Sequence, residues 1–435
     1  MSFRSGTVSW SRFRAFGEPP AGVDDALLKR LEKHIIEPPS VGTPPEFAAG
    51  WCAGRHVLDE DFSYDACGFG SVLLAGVRID TNRVPAEIRR AYRAIAEGER
   101  AAGTETGFLS RAEVRAAREE AERRCAEELS EGRHRNSKLV PILWDLPSGR
   151  MLAPLNGERT QTLVRDLVMS TLELRLQPRT AGALAWDLLS DRGLTSELDD
   201  ARPSILTPAP AERPGSSSAM AAESGERRPG AHPDVPWAAA SPEPKDFLGN
   251  EFLLWLWWST ELSEGLVSTA RGEIAVVIDR TLDLECAWGI TGQTSIRGDA
   301  PTRRPEASKA LQHGKWPRRC GLIISAPSGG LASDVRGSDD LQWTLTFQAD
   351  RFQVSSAALP EIDEARSARE IIEQRIARML ALDDVLVALY DAFLTIRFSR
   401  GWDAHREQLS SWIMTRDAPP PRSSGRPRVA VLSAP

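Results

Sequence analysis

The sequence predicts an α+β protein of mainly antiparallel sheets, packed helices and a projecting helical arm. Three observations carry this expectation. Runs such as SVLLAGVRID and GEIAVVIDRTLDLEC alternate with the two-residue period of half-buried strands, the second placing Ile274, Val276, Ile278, Leu282 and Leu284 on one face. Segments such as DDALLKRLEKHII have the helical period, with Leu27, Leu28, Leu31 and Ile35 on one side. Two strand pairs read as hairpins, LVPILWDLPSGRMLAPL turning at Pro147-Ser148-Gly149 and LQWTLTF with RFQVS turning around Gln348-Ala349-Asp350.

The remaining elements follow in order. VSWSRFRAF opens the chain as a strand. VPAEIRRAYRAIAEGE is a helix with Pro85 at its first turn, and Ser110 with Glu113 forms a capping box before SRAEVRAAREEAERRCAEEL. That second helix offers only Val114, Ala117, Ala121 and Leu129 for packing, so it should stand out from the body as an arm over about residues 85–130. TQTLVRDLVMSTLEL is an amphipathic helix, CGLIIS a short apolar strand, and AREIIEQRIARMLALDDVLVALYDAFLTIRF one or two helices.

Composition sets the domain plan. The 435 residues suffice for two cores, and 41% hydrophobic with 26% charged residues is ordinary for a soluble globular chain. Residues 201–245 and 417–435 are rich in Pro, Ala, Ser and Gly without apolar periodicity; they read as a disordered linker and tail. Two folded blocks remain, 1–200 and 246–416. Nothing resembles a signal peptide, and no run approaches the ~20 apolar residues of a membrane span. A cytoplasmic protein without a membrane partner is expected.

The most conspicuous stretch, EFLLWLWWSTEL at 251–262, is therefore no membrane segment. Phe252, Trp255 and Trp258 recur at helical spacing, and Leu253 and Trp257 make the helix apolar nearly all round, with Asp246 or Asn250 available as its cap. Its acidic flanks, Glu251, Glu261 and Glu264, oppose the binding of phosphates. A buried helix opening the second block is the expectation.

Enzyme signatures are lacking. Five scattered cysteines and six histidines make no metal motif, and neither a P-loop nor a nucleophile elbow is present. No cofactor, metal or catalytic residue is expected. Asp279, Asp283 and Glu285 share strand parity and could hold Mg²⁺ in a nuclease, but a half-exposed antiparallel strand needs the same alternation for its solvated face.

The charge pattern is more suggestive. Net charge is −7, which argues against a small basic DNA-binding domain but leaves room for one basic face. The stretch IRGDAPTRRPEASKALQHGKWPRR (296–319) holds Arg297, Arg303, Arg304, Lys309, Lys315, Arg318 and Arg319 against only Asp299 and Glu306. Phosphates would dock there without sequence readout. GRHRNSK, with Arg133, Arg135 and Lys138 after the charged helix, is a second candidate at the end of the arm. RRAYRA, with Arg89, Arg90 and Arg93 offset by Glu87, Glu97 and Glu99, is weaker.

The order of these elements resembles the recombination-associated RdgC family. VSWSRFRAF, the GW at 50–51, VLLAGVRIDTNRVPAEIRRAY, the charged helix 110–129, LWDLPSGRMLA, HGKWPRRCGLII and the D-D-V-L-V-A-L pattern carry the resemblance over most of both blocks. It implies a non-enzymatic homodimer that encircles double-stranded DNA as a ring, associates with the nucleoid and limits recombinase access. The linker and tail are additions to the family pattern. A Lys-Gln pair used by the family for DNA contact is replaced here by Asp299-Ala300-Pro301, and the aromatic near its arm tip corresponds to His134.

Overall fold

A long hairpin organises the first part of the chain. In the computed structural model, which describes residues 2–37, 44–103, 107–207, 243–289, 291–327, 341–362, 365 and 367–416, β4 (Val72–Asn82) pairs antiparallel with β5 (Arg135–Asp145) along its whole length, from Val72 opposite Asp145 to Asn82 opposite Arg135. Instead of a turn, the hairpin continues into two helices, α3 (Ala86–Ala101) and α4 (Arg111–Ser130). Ala96, Ala117, Ala121 and Cys125 are buried, and the Tyr92 hydroxyl donates to Glu128 at 2.6 Å. Small side chains let the two helices close on each other where few large apolar residues are available. The Ser110–Glu113 capping box is present in both directions.

Residues 1–4 and 13–177 form one compact unit, and residues 5–12 and 178–435 the other. In the first, the strand order is β1 (Val8–Phe16, its later part), β6 (Arg150–Ala153), β5, β4 and β2 (Phe47–Cys52), with the two-residue β3 (Gly68–Phe69) on β4. Helices α1 (Asp25–Glu32) and α5 (Glu158–Leu172) cover the sheet with Leu27, Leu28, Leu31, Val164, Val168 and Leu172 against Trp51 and Trp144. The Trp51 indole donates to Thr171 at 3.0 Å, which ties β2 to α5. A four-residue α2 (Tyr64–Cys67) precedes β3, and β7 (Arg175–Pro178) runs beside β1.

Beyond residues 5–12, the second unit resumes at Pro178 and includes α6 (Ala181–Ser190) and α7 (Thr195–Asp200), so the division falls after Gln177 and not at the expected residue 200. Its strand order is β10 (Thr294–Arg297), β9 (Gly272–Cys286), β11 (Lys315–Ala326), β12 (Leu341–Gln348), β13 (Gln353–Ala358) and the first part of β1, with β8 (Leu266–Thr269) also on β9. The pairings of β4 with β2, β3 and β5 and of β5 with β6 in the first unit, and of β9 with β8, β10 and β11, β12 with β11 and β13, and β1 with β13 in the second, are antiparallel, so the α+β expectation holds. Helix α8 (Phe247–Leu262) carries the tryptophan run, and every residue from Phe247 to Trp258 is buried. Phe252 meets Tyr390 of the 30-residue α10 (Ala368–Arg397) at 5.3 Å between ring centroids, and Trp257 meets Trp412 of α11 (Trp402–Thr415) edge-on at 5.7 Å.

Of the acids flanking this helix Glu261 and Glu264 are exposed, but Glu251 is not. Glu251 is buried and accepts from Arg397 Nε at 2.7 Å and from the Ser204 backbone N–H at 2.5 Å. Glu261 holds the buried Arg416 (2.6 Å to Nη2), whose guanidinium also stacks over Trp257 and Trp412. Neither expected residue caps the helix with its side chain: Asp246 accepts from Gly182 N–H at 3.0 Å, and Asn250 donates to the Pro317 carbonyl at 3.1 Å. The proposed linker is also shorter than its composition suggests. Ser204, Leu206 and Thr207 are buried, and Lys245 donates to the Asp199 and Ala201 carbonyls; positions 208–242 and the tail 417–435 lie outside the described residues. No helix of the described residues is long and apolar enough to cross a membrane.

Candidate nucleic-acid interface

The basic stretch 296–319 places Arg297 and Arg319 on the polar face of the β10–β9–β11 ribbon in the second unit. Its other face is apolar: Leu282, Leu284, Cys286, Ile296 and Cys320 are buried. On the polar face Asp283 is central. It lies opposite Ser295 of β10 on one side and Arg319 of β11 on the other. Only 1% of Asp283 is exposed, so it is no solvated strand acid. Arg297 Nη1 donates to Oδ1 at 2.6 Å and Arg319 Nε to Oδ2 at 2.7 Å. Burial works against the charged carboxylate, but the hydrogen bonds of Arg297, Ser295 and Arg319 prevail and hold Asp283 below the usual aspartate range.

Two irregularities place these cations. Between Pro317 and Arg319 the register slips by one residue against β9, a bulge that puts two successive side chains on one side of the sheet. Arg318 and Arg319 therefore both reach the acids of β9: Arg318 pairs with Glu285 and, at 3.0 Å, with Asp350. The second slip, between Cys320 and Leu322, bulges β9 at residues 279–281, where Arg280 takes a positive φ of 61°. Gly321 faces this bulge so closely that a Cβ there would lie 2.1 Å from the Asp279 carbonyl oxygen. Asp279 accepts from the Ala300 N–H at 3.1 Å, fixing the start of the 3-10 turn Pro301–Arg303.

Beyond the ribbon, Arg304 lies across Gly298, whose φ is +110°; a Cβ there would come within 2.7 Å of Arg304 Nη2. Lys309 is exposed on α9 (Pro305–Gln312), and Lys315 Nζ donates to Thr294 at 2.7 Å. Arg303, Arg304 and Lys309 have no ion pair among the described residues. The structure thus brings Arg297, Lys315, Arg318 and Arg319 onto one ribbon. Arg303, Arg304 and Lys309 follow on the adjoining turn and helix.

The carboxylates once weighed as metal ligands are otherwise engaged. Asp283 serves two arginines, Glu285 serves Arg318 and Asp279 serves a backbone amide. Among the described residues no group of three His, Cys, Asp or Glu could hold a metal ion.

The second candidate group belongs to the first unit and is placed differently from its expectation. Because α4 returns antiparallel to α3, GRHRNSK lies at the base of the helical pair, where β5 starts, not at its end. His134 is likewise at the base, 2.8 Å from Glu128. The aromatic at the far end is Phe108, 83% exposed in the connection between α3 and α4. Arg133 pairs with Glu131 at 2.6 Å, Lys138 is exposed on β5, and Arg135 joins Arg78 on the buried Asp80. Burial again raises the Asp80 pKa, but hydrogen bonds from Arg78, Ser137 and Arg135 outweigh it and leave the carboxyl lowered.

Sequence reasoning singled out the arginines and missed that Asp283 holds two of them. The usable signal was the basic stretch opposite an acid-bearing strand; the bulges left none. No family model matches the chain, and no curated protein matches it either.

Proposed function

We propose that the chain is a non-enzymatic protein that binds double-stranded DNA without reading its sequence. One observation carries the reading. Arg303, Arg304 and Lys309 have no ion pair among the described residues, and they adjoin a ribbon whose Arg297 and Arg319, each about half exposed, share a single buried carboxylate and keep part of each guanidinium open to solvent. Arginines held by backbone geometry and facing solvent suit phosphate oxygens, and nothing in their setting selects a base. A local basic face also reconciles DNA binding with a net charge of −7.

The resemblance in element order to the RdgC family supports the finer reading. A homodimer closes around duplex DNA, associates with the nucleoid in the cytoplasm and limits access by a recombinase. No cofactor takes part.

Salt-titrated binding to unrelated duplexes, with Mg²⁺ or EDTA and followed through time, tests the proposal. Neutralising about four phosphates per protomer, about eight for the homodimer, gives a log–log slope of about −7.2, at 0.9 per phosphate, and equal affinity on every sequence. DNA shortened only in the presence of Mg²⁺ would point to a nuclease. Absence of binding at low salt would leave a protein-interaction scaffold.

A further inference from the structure

Both units contain the same four-residue arrangement. Asp80 lies directly opposite Ser137, with Arg135 two positions along the partner strand and Arg78 two positions along its own. Asp283 lies directly opposite Ser295, with Arg297 two positions along that partner and Arg319 on the other neighbouring strand. In each case the aspartate is buried and accepts from the serine and both arginines. Exposure separates them. Around Asp80 the arginine side chains are 14% and 29% exposed, and their bonds are spent inside the hairpin at the base of the helical pair. Around Asp283 they are 51% and 45% exposed, anchored at one edge with the rest of each guanidinium facing solvent.

We infer that Asp283 is a positioning residue for DNA binding. It holds Arg297 and Arg319 as a two-guanidinium clamp for one backbone phosphate, whereas Asp80 holds its arginines for the fold alone. Arg297 contacts the carboxylate through Nη1 and Arg319 through Nε and Nη2, so Nε and Nη2 of the first and Nη1 of the second remain to donate outward. A planar guanidinium fixed at one edge loses less rotamer freedom on meeting phosphate than a free one does. The inference rests on the DNA-binding reading.

The sign of one substitution tests it. Asp283→Asn removes a negative charge beside a basic surface, so electrostatics alone makes DNA binding tighter. Loss of the clamp makes it weaker, by about tenfold at fixed salt for charge-assisted hydrogen bonds of this kind. Fluorescence anisotropy with a labelled duplex, alongside thermal melts, is measured for the wild-type chain, Asp283→Asn and Asp80→Asn. The expected result is weakened binding for Asp283→Asn alone, with Asp80→Asn lowering the melting temperature and leaving affinity as it was. In an Arg297→Gln/Arg319→Gln background the effect of Asp283→Asn should change sign to tighter binding.

Should Asp283→Asn fail to fold, Asp283→Glu keeps the charge and displaces the carboxylate by one methylene; weakened binding is again expected. Unchanged or tighter binding by a folded Asp283 variant overturns the clamp and leaves the DNA-binding reading standing. A wild-type chain that binds no duplex at low salt overturns both.

Discussion

Glu251 offers the sharpest energetic test of the second unit. Its carboxylate is buried at the first acidic flank of the tryptophan helix, 2.7 Å from Arg397 and 2.5 Å from the Ser204 amide. Glu251→Ala strands a buried guanidinium and a backbone N–H together, and breaking such a pair costs about 3–5 kcal/mol. Arg397 keeps the Arg202 carbonyl at 2.8 Å and stacks over Trp402 at 4.8 Å, which cushions the loss and places it near ~3 kcal/mol, the lower end of that range. For a unit of this size, where 1 kcal/mol moves the midpoint by about 2–4 °C, the melting temperature should fall by roughly 6–12 °C. Differential scanning calorimetry of the full chain reads the change. The double variant Glu251→Leu/Arg397→Leu should recover most of it, because apolar replacement of both partners avoids the stranded charge. A single-variant cost under about 1 kcal/mol would refute the reasoning, since a buried, unpaired arginine cannot be that cheap. A double variant as unstable as the single one would transfer the effect from charge to packing.

The remaining predictions concern the basic face and its supports. Arg303→Glu/Arg304→Glu should leave the melting temperature unchanged and reduce the DNA salt slope by about 3.6, two phosphates in each protomer of the homodimer at 0.9 each, on every duplex alike. An unchanged slope removes those arginines from the interface. Gly321→Ala should destabilise by about 1–3 kcal/mol through a clash with backbone at the β9 bulge, read as a shift in denaturant midpoint; a neutral result would mean the bulge relaxes freely. Stability should also depend on acid. Asp80 and Asp283 are both depressed below their ordinary 3.8 in the folded chain, so their contribution is complete above that unfolded value and is lost as pH falls through the lower folded values. Melting temperature should be level from about pH 7 to 5 and decline below about pH 4, with a shallower decline in Asp283→Asn. An equally steep decline in that variant would place the acid sensitivity elsewhere.

What the sequence disclosed depended on how local the governing physics was. The capping box at Ser110 and Glu113 needs only three residues of spacing, and it was legible. So was the burial of the tryptophan helix, because an all-round apolar surface has nowhere else to go. The division near residue 177 was not. Helix α6 belongs to the second unit through contacts far away in sequence, such as Gly182 N–H to Asp246 and the Tyr390 hydroxyl to the Ala181 carbonyl. The ordered ends of the supposed linker escaped notice for the same reason. Proline- and serine-rich composition cannot reveal that Ser204 completes the shell of a buried glutamate forty-seven positions on.

The candidate site shows the same limit at finer scale. Strand parity correctly put Asp283 on the face opposite Leu282 and Leu284, and from parity alone that face reads as solvated. Which neighbour covers it is a matter of register, and register at this point is set by two bulges. Without the slip at Pro317–Arg319, successive arginines would alternate between faces, and Arg319 would stand opposite Leu282 on the apolar side. A buried, unpaired cation there would be prohibitive. The bulge is therefore what permits an Arg-Arg pair in a strand that turns Pro317 and Cys320 to the apolar face. Gly321, two positions after Arg319, admits the opposing bulge of β9 that keeps both strands in step beyond it. W-P-R-R-C-G is thus one structural device: proline and cysteine for the apolar face, two arginines for the other, and a glycine where the partner strand comes too close for a side chain.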